Sequence, residues 1–249
     1  MNAEVGGAPT KALGLGIVPR KENNPIFLQG EVNMYRCIAT SVEGFVQQTI
    51  AYVSSGYLFY VAGTVPAEKV PEAIDRKLIE RYGVAISKWA RSRRKVAGEA
   101  NVQYIRFERF FLLLATHGHH DFFLQEASVR DVRTHPIQFA GYSIGYRRGV
   151  DRKFHASCRI APDEYAKLKA HFVEDLAIHR SVQNLIEAFG RIPWEPYAPV
   201  RRQLLNVLRA VNSQRDRTSY ELVPISAIRF RRRIVRPFGV ADEYGQVAA

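Results

Sequence analysis

The chain has 249 residues, 47% of them hydrophobic and 11% aromatic, so it can bury a proper core and is not a disordered polymer. Its 36 Lys and Arg outnumber its 24 Asp and Glu, and the net charge of +12 points to a polyanionic partner. Two cysteines, Cys37 and Cys158, exclude a disulfide framework, and no run approaches the ~18 apolar residues of a membrane span. An intracellular, cytoplasmic protein with reduced thiols and no membrane partner is expected.

Residues 1–33 open MNAEVGGAPTKALGLG, lack the charged-then-apolar order of a secretory signal, and are expected to form a flexible tail. Residues 35 to 65 read as extended. TIAYV and YLFYVAGTV are β-branched and aromatic, Ser54-Ser55-Gly56 separates them as a hairpin turn would, and Pro66 ends the second. PEAIDRKLIERYG predicts a helix over 71–83. Pro71 suits its first position, Glu72 and Asp75 lie near the positive end of the dipole, and Gly83 closes it. Ile74, Leu78, Ile79 and Tyr82 share one face.

SKWARSRRKVAG, residues 87 to 98, is too polar for a core helix. Lys88, Arg91, Arg93, Arg94 and Lys95 crowd around Trp89, which fits a surface helix or loop that tracks phosphates; a merely solvated face is the alternative.

Residues 102 to 160 predict a sheet. Val102, Tyr104, Ile105, Phe107 and the run Phe110 to Leu114 read as one long strand bent at Glu108-Arg109. DFFLQEASV, PIQFAGYSIGY and KFHASCRI follow at short spacing, which favours antiparallel neighbours, with Gly141 and Gly145 as bulges or bends. The turn YRRGVDRK carries a second basic patch, Arg147, Arg148, Arg152 and Lys153.

After Ile160 the period becomes helical. Pro162, Asp163 and Glu164 open a helix with Tyr165, Leu168, Phe172 and Leu176 on one face. Ser181 can cap SVQNLIEAFG, whose apolar face is Val182, Leu185, Ile186 and Phe189. After the elbow IPWEPYAP a long helix turns Val200, Leu204, Val207, Leu208 and Val211 inward, with Arg201, Arg202 and Arg209 on its other faces. SAIRFRRRIVRPF alternates: Ile228, Phe230 and Ile234 share one side, Arg229, Arg231 and Arg233 the other. It reads as a half-buried strand with a row of guanidinium groups in solvent, or as a charge-blunted edge. Residues 239–249 read as a second flexible tail. P-loop, GxGxxG, CxxC and GxSxG patterns are absent.

The stretch FFLLLATHGHHDFF raises a catalytic option. A strand through His117 and His119 would turn both imidazoles to one side, and with Asp121 they could hold a divalent metal, Mg²⁺ or Mn²⁺. Such an ion would polarise a phosphate oxygen and stabilise the leaving group. A histidine pair on a strand, followed by a tyrosine on a later helix, resembles the HUH nucleases, the replication initiators, relaxases and transposases of mobile elements. That resemblance implies His117 and His119 as ligands, Tyr165 as nucleophile, and Glu126 or His155 as third ligand. Gly118 departs from the bulky apolar residue that this family has between its histidines. The same segment also reads as a polar turn, Thr116 to Asp121, or as a metal-free site in which His117 or His120 is a general base or touches a phosphate.

The fold expected is α+β. An antiparallel sheet of five or more strands over 34–160 packs against one early helix and against a C-terminal helical layer over 161–238, whose last basic strand rejoins the sheet. The function expected is binding of DNA or RNA, non-enzymatic or accessory, through the Lys88–Lys95 segment, the turn Arg147 to Lys153, and Arg229, Arg231 and Arg233. A metal-dependent nuclease or nicking enzyme, and a ribonucleoprotein subunit with protein partners, stay open as alternatives.

Overall fold

Ser41 sets the first element: its hydroxyl accepts a hydrogen bond from Gly44 N at 3.0 Å and caps helix α1, Val42–Ser54. The computed structural model describes residues 35–149 and 151–239; the tails expected at 1–33 and 239–249 lie outside them, save for Gly239. The extended reading of TIAYV is thereby overturned. Val42, Phe45, Val46, Thr49, Ile50 and Val53 recur at helical spacing, and this periodicity prevails over β-branched composition once the stripe has a surface to bury.

The chain then runs through β1 (Phe59–Thr64), α2 (Pro71–Arg81), α3 (Lys88–Val96), β2 (Val102–Phe107) and β3 (Phe110–Ala115). Next come the single-turn helix α4 (Phe122–Gln125), β4 (Arg130–Asp131), β5 (Ile137–Phe139), β6 (Tyr142–Arg148) and β7 (Phe154–Ile160). The strands form two antiparallel sheets, four-stranded β2-β3-β1-β4 and three-stranded β5-β6-β7, so the fold is α+β but the sheet of five or more strands does not form. Three early helices, rather than one, precede β2. The single bent strand expected over 102–114 is a hairpin: Phe107 pairs with Phe110, and Glu108 takes a positive φ of 51° in the two-residue turn. DFFLQEASV holds α4 instead of a strand.

Helix α1 explains the division. Phe45, Val46 and Val53 share one core with Tyr60, Ile105, Leu112 and Leu114 of the first sheet and with Ile137, Tyr142, Ile144 and Cys158 of the second. The other face of the first sheet buries Val61, Tyr104, Leu113 and Ala115 with Tyr82 and Val84. There the most buried residue of α2 is Asp75. It accepts from Arg106 Nε and Nη2 at 2.8 and 2.7 Å and from the Tyr104 hydroxyl at 2.5 Å. Cys37 and Cys158 are buried free thiols, and burial pushes Cys37 up to about 12.

A second core fills the C-terminal layer. Helix α5 (Pro162–Ala170) runs on into a π-helical turn, His171–Leu176, followed by α6 (Val182–Gly190) and α7 (Ala198–Arg217). Val200, Leu204, Val207, Leu208 and Val211 face inward as their spacing predicts. Arg215 is buried too, donating to the carbonyls of Ala177 and Arg180, at 2.7 and 2.9 Å, and of Glu221. The Gln203 amide accepts from Ile160 N and donates to Ile160 O, fastening α7 to the end of β7.

The final basic strand does not form. After a 3₁₀ turn, Ile225–Ala227, the backbone bonds mainly to side chains: Arg233 N donates to Glu195, and the Val235 and Phe230 carbonyls accept from Gln47 and Arg201; at its end Pro237 O accepts from Thr40 N and Phe238 forms an isolated antiparallel bridge with Ala39. Ile228 is buried while Phe230 and Ile234 are exposed, so the alternation marks no two faces.

Candidate functional site

Helix α3 starts at Ser87, whose hydroxyl accepts from Ala90 N, and no residue along it is buried. Arg91 holds it down. Its guanidinium donates to Val84 O and Val102 O, while Asn101 donates to Arg91 O at 3.0 Å. Arg94 also turns inward, 3.8 Å from Glu99, and its Nη1 is buried with no hydrogen-bond partner among the described residues. The outward face is different. Trp89 is 77% exposed and Val96, two turns on, is 88% exposed. Lys88, Arg93 and Lys95 flank them, exposed and, among the described residues, in no ion pair. Val96 does not stand out in the sequence; its seven-residue spacing from Trp89 is the signal that would have found it.

The histidine segment lies beside α3. Strand β3 ends at Ala115, so His117 and His119 share no strand face. His119 N donates to Gly98 O and its carbonyl accepts from Ala100 N, tying the turn to the residues that follow α3. Arg94, Glu99, His119, His120, Asp121 and Leu124 line a shallow hollow of about 530 Å³. Gly118 has a φ of +134°, and a Cβ there would stand 2.6 Å from Ala100 N. Gly118→Ala is therefore expected to cost about 1–3 kcal/mol or more, read as a lower melting temperature. Burial, and then the charge of Arg94, hold the His120 imidazole below its usual range; its Nδ1 accepts from Phe122 N at 3.0 Å.

Among the described residues no three His, Cys, Asp or Glu side chains gather as metal ligands, so His117, His119 and Asp121 do not converge. Glu126 accepts from the Tyr82 hydroxyl, and His155 on β7 faces Asp151 at 2.8 Å. Tyr165, on α5, packs at the margin of the C-terminal core, while the histidine turn adjoins the core around Phe122. The strand pair that the HUH resemblance implies is not built here.

The β6–β7 hairpin carries the second basic patch. Arg147 pairs across with His155, and Arg148 with Phe154. Phe154, 54% exposed, stacks on Tyr146 with ring centroids 5.8 Å apart. Arg147, Arg148, Arg152 and Lys153 are all exposed. The third patch is mostly tied down. Glu195, buried, accepts from Arg229 at 3.0 Å, and Arg233 lies 3.6 Å from the same carboxylate. Arg232 sits over the Tyr197 ring at 4.8 Å, leaving Arg231 exposed and without an ion pair among the described residues.

No protein-family model matches the chain, and no curated protein matches it. Among the described residues no helix is long and apolar enough to cross a membrane.

Proposed function

We propose that the protein binds nucleic acid as a non-enzymatic or accessory component, with α3 and the β6–β7 hairpin holding phosphates while Trp89 and Phe154 stack on unpaired bases. The observation that carries this reading is a helix with no buried residue whose outward face sets Trp89 among three cations that form no ion pair among the described residues. An indole left in water adds little to folding, so its area is on offer to a partner. Lys88 and Lys95 stand about 10 Å apart along the helix and neutralise phosphates on either side of a stacked base. Aromatic stacking favours single strands, because every base has a π-face that a duplex conceals.

The test uses labelled single-stranded and duplex DNA and RNA, with Mg²⁺ or Mn²⁺ and with chelator, on native and denaturing gels. A mobility shift without cleavage, strongest for single strands, is expected. Trp89→Ala should weaken it by about 1–3 kcal/mol, or roughly fivefold to a hundredfold. Metal-dependent cutting would instead make the histidine turn a nuclease site, and no shift with any of the four probes would remove the binding reading.

A further inference from the structure

A groove of about 530 Å³ lies between helix α7 and the chain that returns along it, residues 222 to 225. Asn212 builds it. Its amide donates to Val223 O and its Oδ1 accepts from Val223 N, both at 2.9 Å, which pins the returning segment to the helix. Val223 is buried, while Leu222 and Ile225 stay 49% and 60% exposed and line the groove with Leu205. Arg209 and Asp216 line it too. Both are exposed, and neither forms an ion pair among the described residues; Arg209 meets only Asn206 of its own helix, at 3.3 Å.

We propose that this groove is where a second copy of the chain docks, with α7 lying antiparallel to α7 of that copy. Arg209 and Asp216 are seven residues apart, so they share one stripe of the helix and stand about 10 Å apart along its axis. A two-fold axis perpendicular to α7, midway between Asn212 and Ser213, sets Arg209 of each copy opposite Asp216 of the other. A parallel pairing would set Arg209 against Arg209, so the charges select the antiparallel one. The stripe is thus complementary to itself, as the contact between two identical copies requires. Exposed ion pairs contribute little on their own and fix the register; the association rests on Leu205, Leu222 and Ile225 leaving water. None of these residues belongs to α3 or to the β6–β7 hairpin, so the pairing stands or falls apart from nucleic-acid binding.

The experiment is sedimentation velocity of the full chain, freed of nucleic acid, over a concentration series. Wild type is compared with Arg209→Asp, Asp216→Arg, Leu222→Asp and an equimolar mixture of the two charge variants. Wild type should pass from monomer to dimer as its concentration rises. Each charge variant alone sets like charges against each other twice across the interface. It should raise the dimer dissociation constant on the order of tenfold to a hundredfold. The mixture should recover the dimer, because each introduced charge then meets its opposite on the other copy, and that recovery also shows both variants to be folded. Leu222→Asp should dissociate the dimer, with circular dichroism to verify its fold. A wild type that stays monomeric up to about 100 µM overturns the docking, since a micromolar dissociation constant would already give mostly dimer there. A wild-type dimer that Leu222→Asp or both charge variants leave unchanged also overturns it, as does a mixture that stays as monomeric as its components.

Discussion

Asp75→Ala should destabilise the protein by about 3–5 kcal/mol, measured by chemical denaturation. Its carboxylate is the counter-charge to Arg106, whose side chain is almost wholly buried, and it also receives the Tyr104 hydroxyl. Hydrogen bonding to Asp75 raises the Arg106 pKa further still, and removal of the carboxylate leaves the buried guanidinium with the exposed Glu72, 3.0 Å away, as its remaining counter-charge. The loss is a large share of the ~5–15 kcal/mol that holds a typical domain together. The penalty belongs to the charge that loses its buried partner rather than to the pair itself. Asp75→Leu combined with Arg106→Met and Tyr104→Phe should therefore recover most of it. A single variant within about 1 kcal/mol of wild type would mean that water reaches Arg106 and that the network does not fasten α2 to the sheet.

The second large effect concerns binding. Replacing Lys88, Arg93 and Lys95 together with Ala should flatten the salt dependence for single strands by about 2, at ~0.7 for each phosphate no longer neutralised. All three are exposed, so the melting temperature should hold, and circular dichroism would verify that α3 persists. Arg91 is the contrasting case in the same helix. Its guanidinium is committed to the carbonyls of Val84 and Val102, so Arg91→Ala should lower the melting temperature because it unfastens α3. A salt slope unchanged in the triple variant would show that α3 does not touch the nucleic acid, whatever else the chain binds.

These two variants mark the boundary between local and distant causes in this protein. Helices α2, α6 and α7 are legible in the sequence because their signals act within a turn or two of chain: Pro71 at the start of α2, Ser181 capping α6, and inward residues at helical spacing in α7. The β6 and β7 strands and the exposed, basic nature of α3 are legible for the same reason. Helix α1 is hidden because its β-branched residues suit a strand equally well, and only the two sheets that it separates decide between them. The net charge of +12 is a property of the sequence alone. Which cations stay free for a partner is not. Arg106 meets Asp75, Arg229 meets Glu195 and Arg215 meets the Ala177 carbonyl, each across 31 to 38 residues. Ion pairs and buried hydrogen bonds depend on distance in space, and periodicity carries no information about which distant residue will stand opposite. Arg229 and Arg233 of the predicted row are thus tethered to Glu195, while Arg231 between them stays exposed.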